Sequence, residues 1–212
     1  MPTCLLCHSD QTQRIPSGTE RAYSQCFTCG LIFMHPEDFP SSSEEEYRYT
    51  THNNDIEDER YQRFVAPIVD LVIEDFSPKN TMGLDYGAGT GPVITKLLSD
   101  QGYQLELYDP YFHPNSSTLK KKYDYIVCCE VVEHFHTPDA EFQRLFSLLK
   151  KGGRLYCMTD FLEEDQLFSE WYYKNDETHV AFFNPSSLQW IKNHFGFSHV
   201  EKKGRLVVFS KQ

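Results

Sequence analysis

Two Cys-x-x-Cys pairs open the chain, Cys4-Leu5-Leu6-Cys7 and Cys26-Phe27-Thr28-Cys29, with eighteen residues between them. Four thiolates at this spacing make a tetrahedral zinc site, each pair folding as a tight knuckle whose backbone N–H groups point at the sulfurs. Gly30, directly after Cys29, suits the left-handed turn that such a knuckle needs. A redox Cys-x-x-Cys would open a helix in a βαβ setting, and no such pattern surrounds either pair. Two disulfides would need an oxidising compartment, and the first residues offer neither the basic nor the apolar segment of a secretory leader. With four thiolates completing the site, His8 belongs beside it or in solvent.

A second chemical signal is Gly87-Ala88-Gly89-Thr90-Gly91, preceded by the apolar run 81–86 and followed by the helix-forming run 92–98. Strand, glycine turn and helix in that order let a ligand approach the backbone. The pyrophosphate readings fail: a dinucleotide fingerprint wants glycine where Pro92 stands, and the Gly-Lys-Ser/Thr ending of a P-loop is absent. Asp85, just before the loop, suits a ligand with a cationic head. A second apolar run ends in Asp109, twenty residues after Gly89, where an acid can take ribose hydroxyls. Further on, residues 171–183 are aromatic and titratable together, the composition of a small-molecule site. There Asp176 and His179, three apart, form a candidate acid–base pair; the alternative is that His179 satisfies a core hydrogen bond. His134 is a further catalytic candidate, with a structural cap as its alternative.

These residues require positioning elements. Tyr23 and residues 31–33 read as short strands of a zinc ribbon over residues 1–40. Residues 41–80 read as a linker and helical arm: Pro40 to Glu46 break the composition, and from Ile56 apolar residues recur at helical spacing, with Pro67 expected to kink or divide the helix. Residues 81–212 read as a doubly wound α/β domain. Its third strand is 125–129, Pro138 opens a helix that Lys150-Lys151-Gly152-Gly153 stops, and 154–160 is the next strand. Asn184 caps a helix that begins with Pro185 and ends at Gly196, and residues 197–200 and 206–209 close the sheet as an antiparallel pair. Lys202, Lys203 and Arg205 form a polar turn, or a patch for an acidic ligand. Cys128, Cys129 and Cys157 fall in strands, as small hydrophobes.

Leu84-Asp85-Tyr86-Gly87-Ala88-Gly89-Thr90-Gly91, Asp109, the segment 125–135 with Pro138, and residues 148–153 together resemble the class I S-adenosylmethionine-dependent methyltransferases over about residues 81–160. With the four cysteines, the chain is similar to bacterial zinc-ribbon methyltransferases that include sugar C-methyltransferases. The resemblance implies a Rossmann-like sheet, with Gly87, Ala88 and Gly89 beneath the methionine part of the cofactor, Asp109 on its ribose and Glu130 along it, Cys129 also facing it. It also implies that the arm closes over the cofactor, with Tyr49, His52 and Asn53 available to its carboxylate end. One departure stands out. Only fourteen residues separate Asp109 from Asp124, too few for the helix, strand and helix usual there, so one strand of the usual seven is expected to be missing. Pro110, Tyr111 and Phe112 then either stack on the adenine or form a surface loop.

The composition narrows the function. The 212 residues are 40% hydrophobic and 15% aromatic, enough for a core and against disorder. The net charge of −11, with the ribbon itself at −2, opposes a nucleic-acid face. No apolar run reaches the roughly 18 residues of a membrane span, and the expected setting is cytoplasmic. The expected function is methyl transfer to a small-molecule acceptor. An RNA methyltransferase, suggested by the ribbon and Lys120-Lys121-Lys122, and a non-catalytic cofactor-binding protein are the alternatives.

Overall fold

The computed structural model describes residues 1–51, 55–163 and 165–212. Three short strands, β1 (Thr12–Ile15), β2 (Tyr23–Cys26) and β3 (Ile32–Met34), form the ribbon. Two helices follow, α1 (Ser42–Thr50) and α2 (Glu59–Asp75). The α/β domain then runs β4 (Met82–Tyr86), α3 (Val93–Asp100), β5 (Gln104–Tyr108), β6 (Tyr123–Cys129), α4 (Pro138–Leu148), β7 (Leu149–Met158), β8 (Ala181–Phe182), α5 (Pro185–Phe195), β9 (His199–Lys203) and β10 (Leu206–Ser210).

The main sheet has the order β5-β4-β6-β7-β10-β9. Its first four strands are parallel, and β10 runs antiparallel to both β7 and β9. The expected missing strand is missing: between β5 and β6 the described chain has only a short 3-10 turn at Thr118–Lys120. Alternation along the central strands feeds two cores, as a sheet covered on both faces requires. Tyr125, Val127, Tyr156 and Met158 pack beneath α2 and α3, while Ile126, Cys128, Leu155 and Cys157 pack beneath α4 and α5. The three strand cysteines are free thiols, two of them buried.

Several expectations change. Residues 42–46 are helix rather than linker, because Ser41 and Glu44 form a reciprocal capping box that starts α1 at Ser42. Pro67 neither divides nor ends α2, which continues to Asp75. An internal proline costs about 3 kcal/mol, and burial of Val65, Ile68, Val69 and Val72 on both sides of it outweighs that. Helix α4 ends at Leu148, so Lys150 to Gly153 already belong to β7. The α5 boundaries stand as read: Asn184 caps it, Pro185 opens it, and Gly196 at φ +86° ends it.

The ribbon is not a free module. β3 pairs with β8, Ile32 opposite Phe182 and Phe33 opposite Ala181, so residues 181–182 complete a four-stranded sheet with β1, β2 and β3. Tyr23, Ile32 and Met34 share a third core with Phe168, Trp171, Tyr173, Val180 and Phe182.

Candidate functional site

A cavity of about 760 Å³ opens at the carboxyl ends of β4, β5 and β6, where ligands bind in open α/β sheets. Every described residue expected from the sequence to bind the cofactor or act in catalysis lines it. His52 and Asn53 lie outside the described residues.

The floor is the glycine loop. Gly87 has φ +82°, and a Cβ there would stand 2.3 Å from Val131 Cγ2. Its N–H donates to the Tyr108 carbonyl at 2.8 Å. Asp109 ties the loop to the segment after β5: Oδ2 accepts from Gly89 N at 3.0 Å, and Oδ1 from Tyr111 N at 2.9 Å and Phe112 N at 3.0 Å. Asp85 is buried, with Thr95 Oγ1 donating to its Oδ2 at 2.7 Å. Burial pushes its carboxyl up to about 6.

At the tip of β6, Glu130 takes φ +53°, a left-handed conformation that costs a non-glycine residue about 1–2 kcal/mol. The turn aims its carboxylate at Arg205, whose Nη2 lies 2.8 Å from both oxygens. Arg205 lies in the turn between β9 and β10, as read from the sequence, whereas Lys202 and Lys203 belong to β9; the guanidinium reaches from that turn to the cavity-lining Glu130. Glu133 is 1% exposed, and its Oε1 accepts from the Tyr173 hydroxyl. Burial pushes both Glu130 and Glu133 up to about 7.

The arm forms the roof, held at three places. The buried Glu45 accepts from Tyr111 Oη at 2.7 Å through Oε2 and pairs with His136 Nε2 at 2.9 Å through Oε1. Arg48 donates to Asp176 Oδ2, 2.7 Å from its Nη2. The Tyr49 ring packs against His134 and Tyr111, with centroids at 5.2 and 5.6 Å.

The remaining candidates have their own settings. Asp176 Oδ1 accepts from Thr178 N and Oγ1 at 3.0 and 2.7 Å. Burial raises its carboxyl, but Arg48 and Thr178 outweigh burial and hold it well below the usual carboxylate range. That makes Asp176 an anchor for the arm and a poor proton acceptor. His179 Nδ1 donates to the Tyr173 carbonyl at 2.7 Å, and His134 Nδ1 to that of Thr178 at 2.8 Å. Burial lowers His134 below its ordinary value, so it is neutral near pH 7.

The four ribbon cysteines converge, with Cys4 and Cys29 sulfurs 3.5 Å apart and those of Cys7 and Cys26 3.4 Å apart. A tetrahedron with 2.3 Å metal–sulfur bonds has edges of about 3.8 Å, so the set fits zinc closely. Backbone N–H groups of Leu6 and Cys7 serve Cys4, that of Ser9 serves Cys7 and that of Leu31 serves Cys29. Gly30 carries φ +82° and has no room for a Cβ against Ser186, while Asn184 Nδ2 donates to its carbonyl at 2.6 Å. His8 is exposed and pairs with Asp139 at 3.0 Å.

Sequence reasoning missed Glu45, Arg48, the pairing of Arg205 with Glu130 and the meeting of Glu133 with the two histidines. Only the Ser41-to-Glu44 capping box pointed to the first two, by revealing a helix where a linker was expected.

Comparison with known proteins gives the family and the fold. Residues 58–202 match the family model described as "Methyltransferase domain", and the chain belongs to that family. Membership of that family makes the protein a methyltransferase-domain enzyme, and its fold is shared with solved S-adenosylmethionine-dependent methyltransferases. Among solved structures it is similar to an O-methyltransferase family protein from Burkholderia thailandensis, at TM-score 0.57 and 14% identity, covering 82% of this chain and 64% of that one. Magnesium protoporphyrin IX methyltransferase from Synechocystis with bound S-adenosylmethionine gives TM-score 0.53 at 16% identity, covering 83% and 94%. Human N-acetylserotonin methyltransferase, also with S-adenosylmethionine, gives 0.54 at 14%, covering 81% and 56%. This chain thus spans less than two thirds of the first and third. No curated protein matches by sequence. Among the described residues no helix is long and apolar enough to cross a membrane.

Proposed function

We propose that the protein transfers a methyl group from S-adenosylmethionine to a small-molecule acceptor, and that zinc on Cys4, Cys7, Cys26 and Cys29 holds the ribbon against the acceptor segment. The observation that carries this reading is the single cavity of about 760 Å³, which joins the glycine loop and Asp109 to an aromatic, titratable far end. Its size lies within the usual range for small ligands. Two of the similar structures are, by name, methyltransferases of small molecules.

The donor brings an already activated methyl on a sulfonium, so the chain's task is alignment, exclusion of water and handling of a proton. In this reading Asp109 holds the ribose with the lone pairs its backbone partners leave, and Asp85 faces the cationic end. Glu130, fixed by Arg205, lies along the cofactor. The arm closes the top through Arg48 and Asp176, and the acceptor rests against Tyr49, His134 and His179. The RNA reading loses support, since Lys121 pairs with Glu106 and Lys122 with the Ser147 carbonyl.

Calorimetry with S-adenosylmethionine tests the reading. Binding that weakens at least tenfold in Asp109→Ala supports it; no binding by the intact protein overturns it. A metabolite extract supplied with radiolabelled methyl donor then reports the acceptor.

A further inference from the structure

Two distant stretches of chain meet at the acceptor end of the cavity. The turn after β6 supplies Glu133 and His134, and the approach to β8 supplies His179. One ligand-capable atom from each lies within 4.8 Å of the others.

The two imidazoles are held alike. Each directs Nδ1 at a backbone carbonyl, His134 at Thr178 and His179 at Tyr173. A carbonyl only accepts, so each Nδ1 carries a proton; in the neutral ring that leaves the lone pair on Nε2. This is the tautomer, and the supporting hydrogen bond, of metal-ligating histidines. The rings meet edge to face with centroids 4.8 Å apart.

Glu133 supplies an independent observation. Its Oε1 is fixed by the Tyr173 hydroxyl, yet its Oε2 is buried with no hydrogen-bond partner among the described residues. Arg205, the nearby cation, directs its Nη2 at both oxygens of Glu130 and makes no hydrogen bond to Glu133, on which its charge acts only at a distance. A carboxyl 1% exposed that leaves one oxygen without a hydrogen bond among the described residues has a donor atom to offer a cation, whose charge would favour its ionised form.

We propose that Glu133, His134 and His179 bind a divalent first-row transition-metal ion, distinct from the zinc of the four cysteines. Two neutral imidazoles and a carboxylate suit manganese, iron, cobalt or zinc, whereas four thiolates select zinc and disfavour manganese. His134 and His179 line the cavity, so the ion's remaining positions face the acceptor. The substrate class follows, resting in this clause on the methyl-transfer reading: an acceptor with a hydroxyl, or two adjacent hydroxyls, that coordinates through oxygen. Coordination acidifies that hydroxyl. Its proton leaves to water, the oxygen bonds to the donor's methyl carbon, and the sulfonium sulfur takes the electron pair of the broken carbon–sulfur bond.

The test uses full-length protein with the cysteine site filled by zinc. Manganese(II) is titrated in, free ion is read by electron paramagnetic resonance, and S-adenosylmethionine binding is measured calorimetrically on the same samples. One manganese ion per chain is expected, with affinity at least about tenfold lower in Glu133→Gln and in His179→Gln. In the wild-type protein, substoichiometric manganese should broaden the imidazole proton resonances of His134 and His179 before those of His8 and His199. Absence of binding, unchanged affinity in both variants, or broadening that favours His8 and His199 overturns the site. Manganese binding without S-adenosylmethionine binding overturns the methyl-transfer reading and leaves the metal site standing; the converse result does the reverse.

Discussion

The contact between Gly87 and Val131 can be measured as an energy. Gly87→Ala meets two separate costs. Its φ of +82° lies in the left-handed region, where a Cβ costs about 1–2 kcal/mol. The added carbon would also stand 2.3 and 2.8 Å from the two γ-methyls of Val131, an overpacking worth about 1–3 kcal/mol. The sum is about 2–5 kcal/mol, and at about 2–4 °C per kcal/mol for a chain of this size the melting temperature should fall by about 4–20 °C. Val131→Ala removes both γ-methyls and leaves the Cβ, 3.1 Å from the added carbon. The double variant therefore recovers the steric part and keeps the backbone part. A double-mutant cycle by urea denaturation should return a favourable coupling of about 1–3 kcal/mol. Calorimetry should show S-adenosylmethionine binding weakened in Gly87→Ala and partly restored in the double variant. A coupling below about 0.5 kcal/mol, within ordinary additivity error, would refute the claim that Val131 sits on the loop and sets its height.

Three further outcomes are expected. Burial pushes the Asp85 carboxyl up to about 6, so the folded state holds the proton more tightly than the unfolded one; the stability this group adds at low pH is lost as pH rises from about 4 through 6, on the order of 3 kcal/mol. Urea denaturation of the cofactor-free protein should therefore show Asp85→Asn more stable than wild type at pH 7.5 and not at pH 4, while calorimetry shows weaker cofactor binding. Arg48→Met should open the roof: Arg48 is half exposed, so its pair with Asp176 contributes at most about 1 kcal/mol, and stopped-flow should show cofactor release accelerated a few-fold. Chelation of the zinc proposed for the ribbon, or Cys26→Ser, should raise hydrogen exchange at Ala181 and Phe182 before it reaches β4 and β6, because β8 pairs with the ribbon alone.

The readable parts of the sequence were those in which one short segment carries the whole constraint. The glycine turn, the acid at the tip of β5, the Asn184-Pro185 start of α5 and the fourteen-residue gap each state their geometry locally. The start of α1 was obscured because Ser42 to Glu46 are polar throughout, so no apolar stripe announces a helix; the acidic residues suited a first helical turn to follow, and the reciprocal cap at Ser41 and Glu44 sets that turn earlier, at Ser42. β8 is two residues long and exists only because β3 lies beside it. His134 and His179 were picked out singly. Their meeting with the orphaned oxygen of Glu133 depends on the fold returning residues 171–183 to the tip of β6, which no spacing in the chain encodes.

The pairing of β3 with β8 sets a schedule for synthesis. Ile32 and Phe182 are about 150 residues apart, so a ribbon emerging from the ribosome ahead of β8 has an open strand edge while the residues between them are made. Metal capture by the cysteines can precede everything else, but the ribbon's sheet and the third core must wait for Trp171 to Phe182. An exposed edge during that interval invites pairing with other chains. Yield from a zinc-starved host should therefore fall through aggregation of the nascent chain rather than through instability of the finished enzyme.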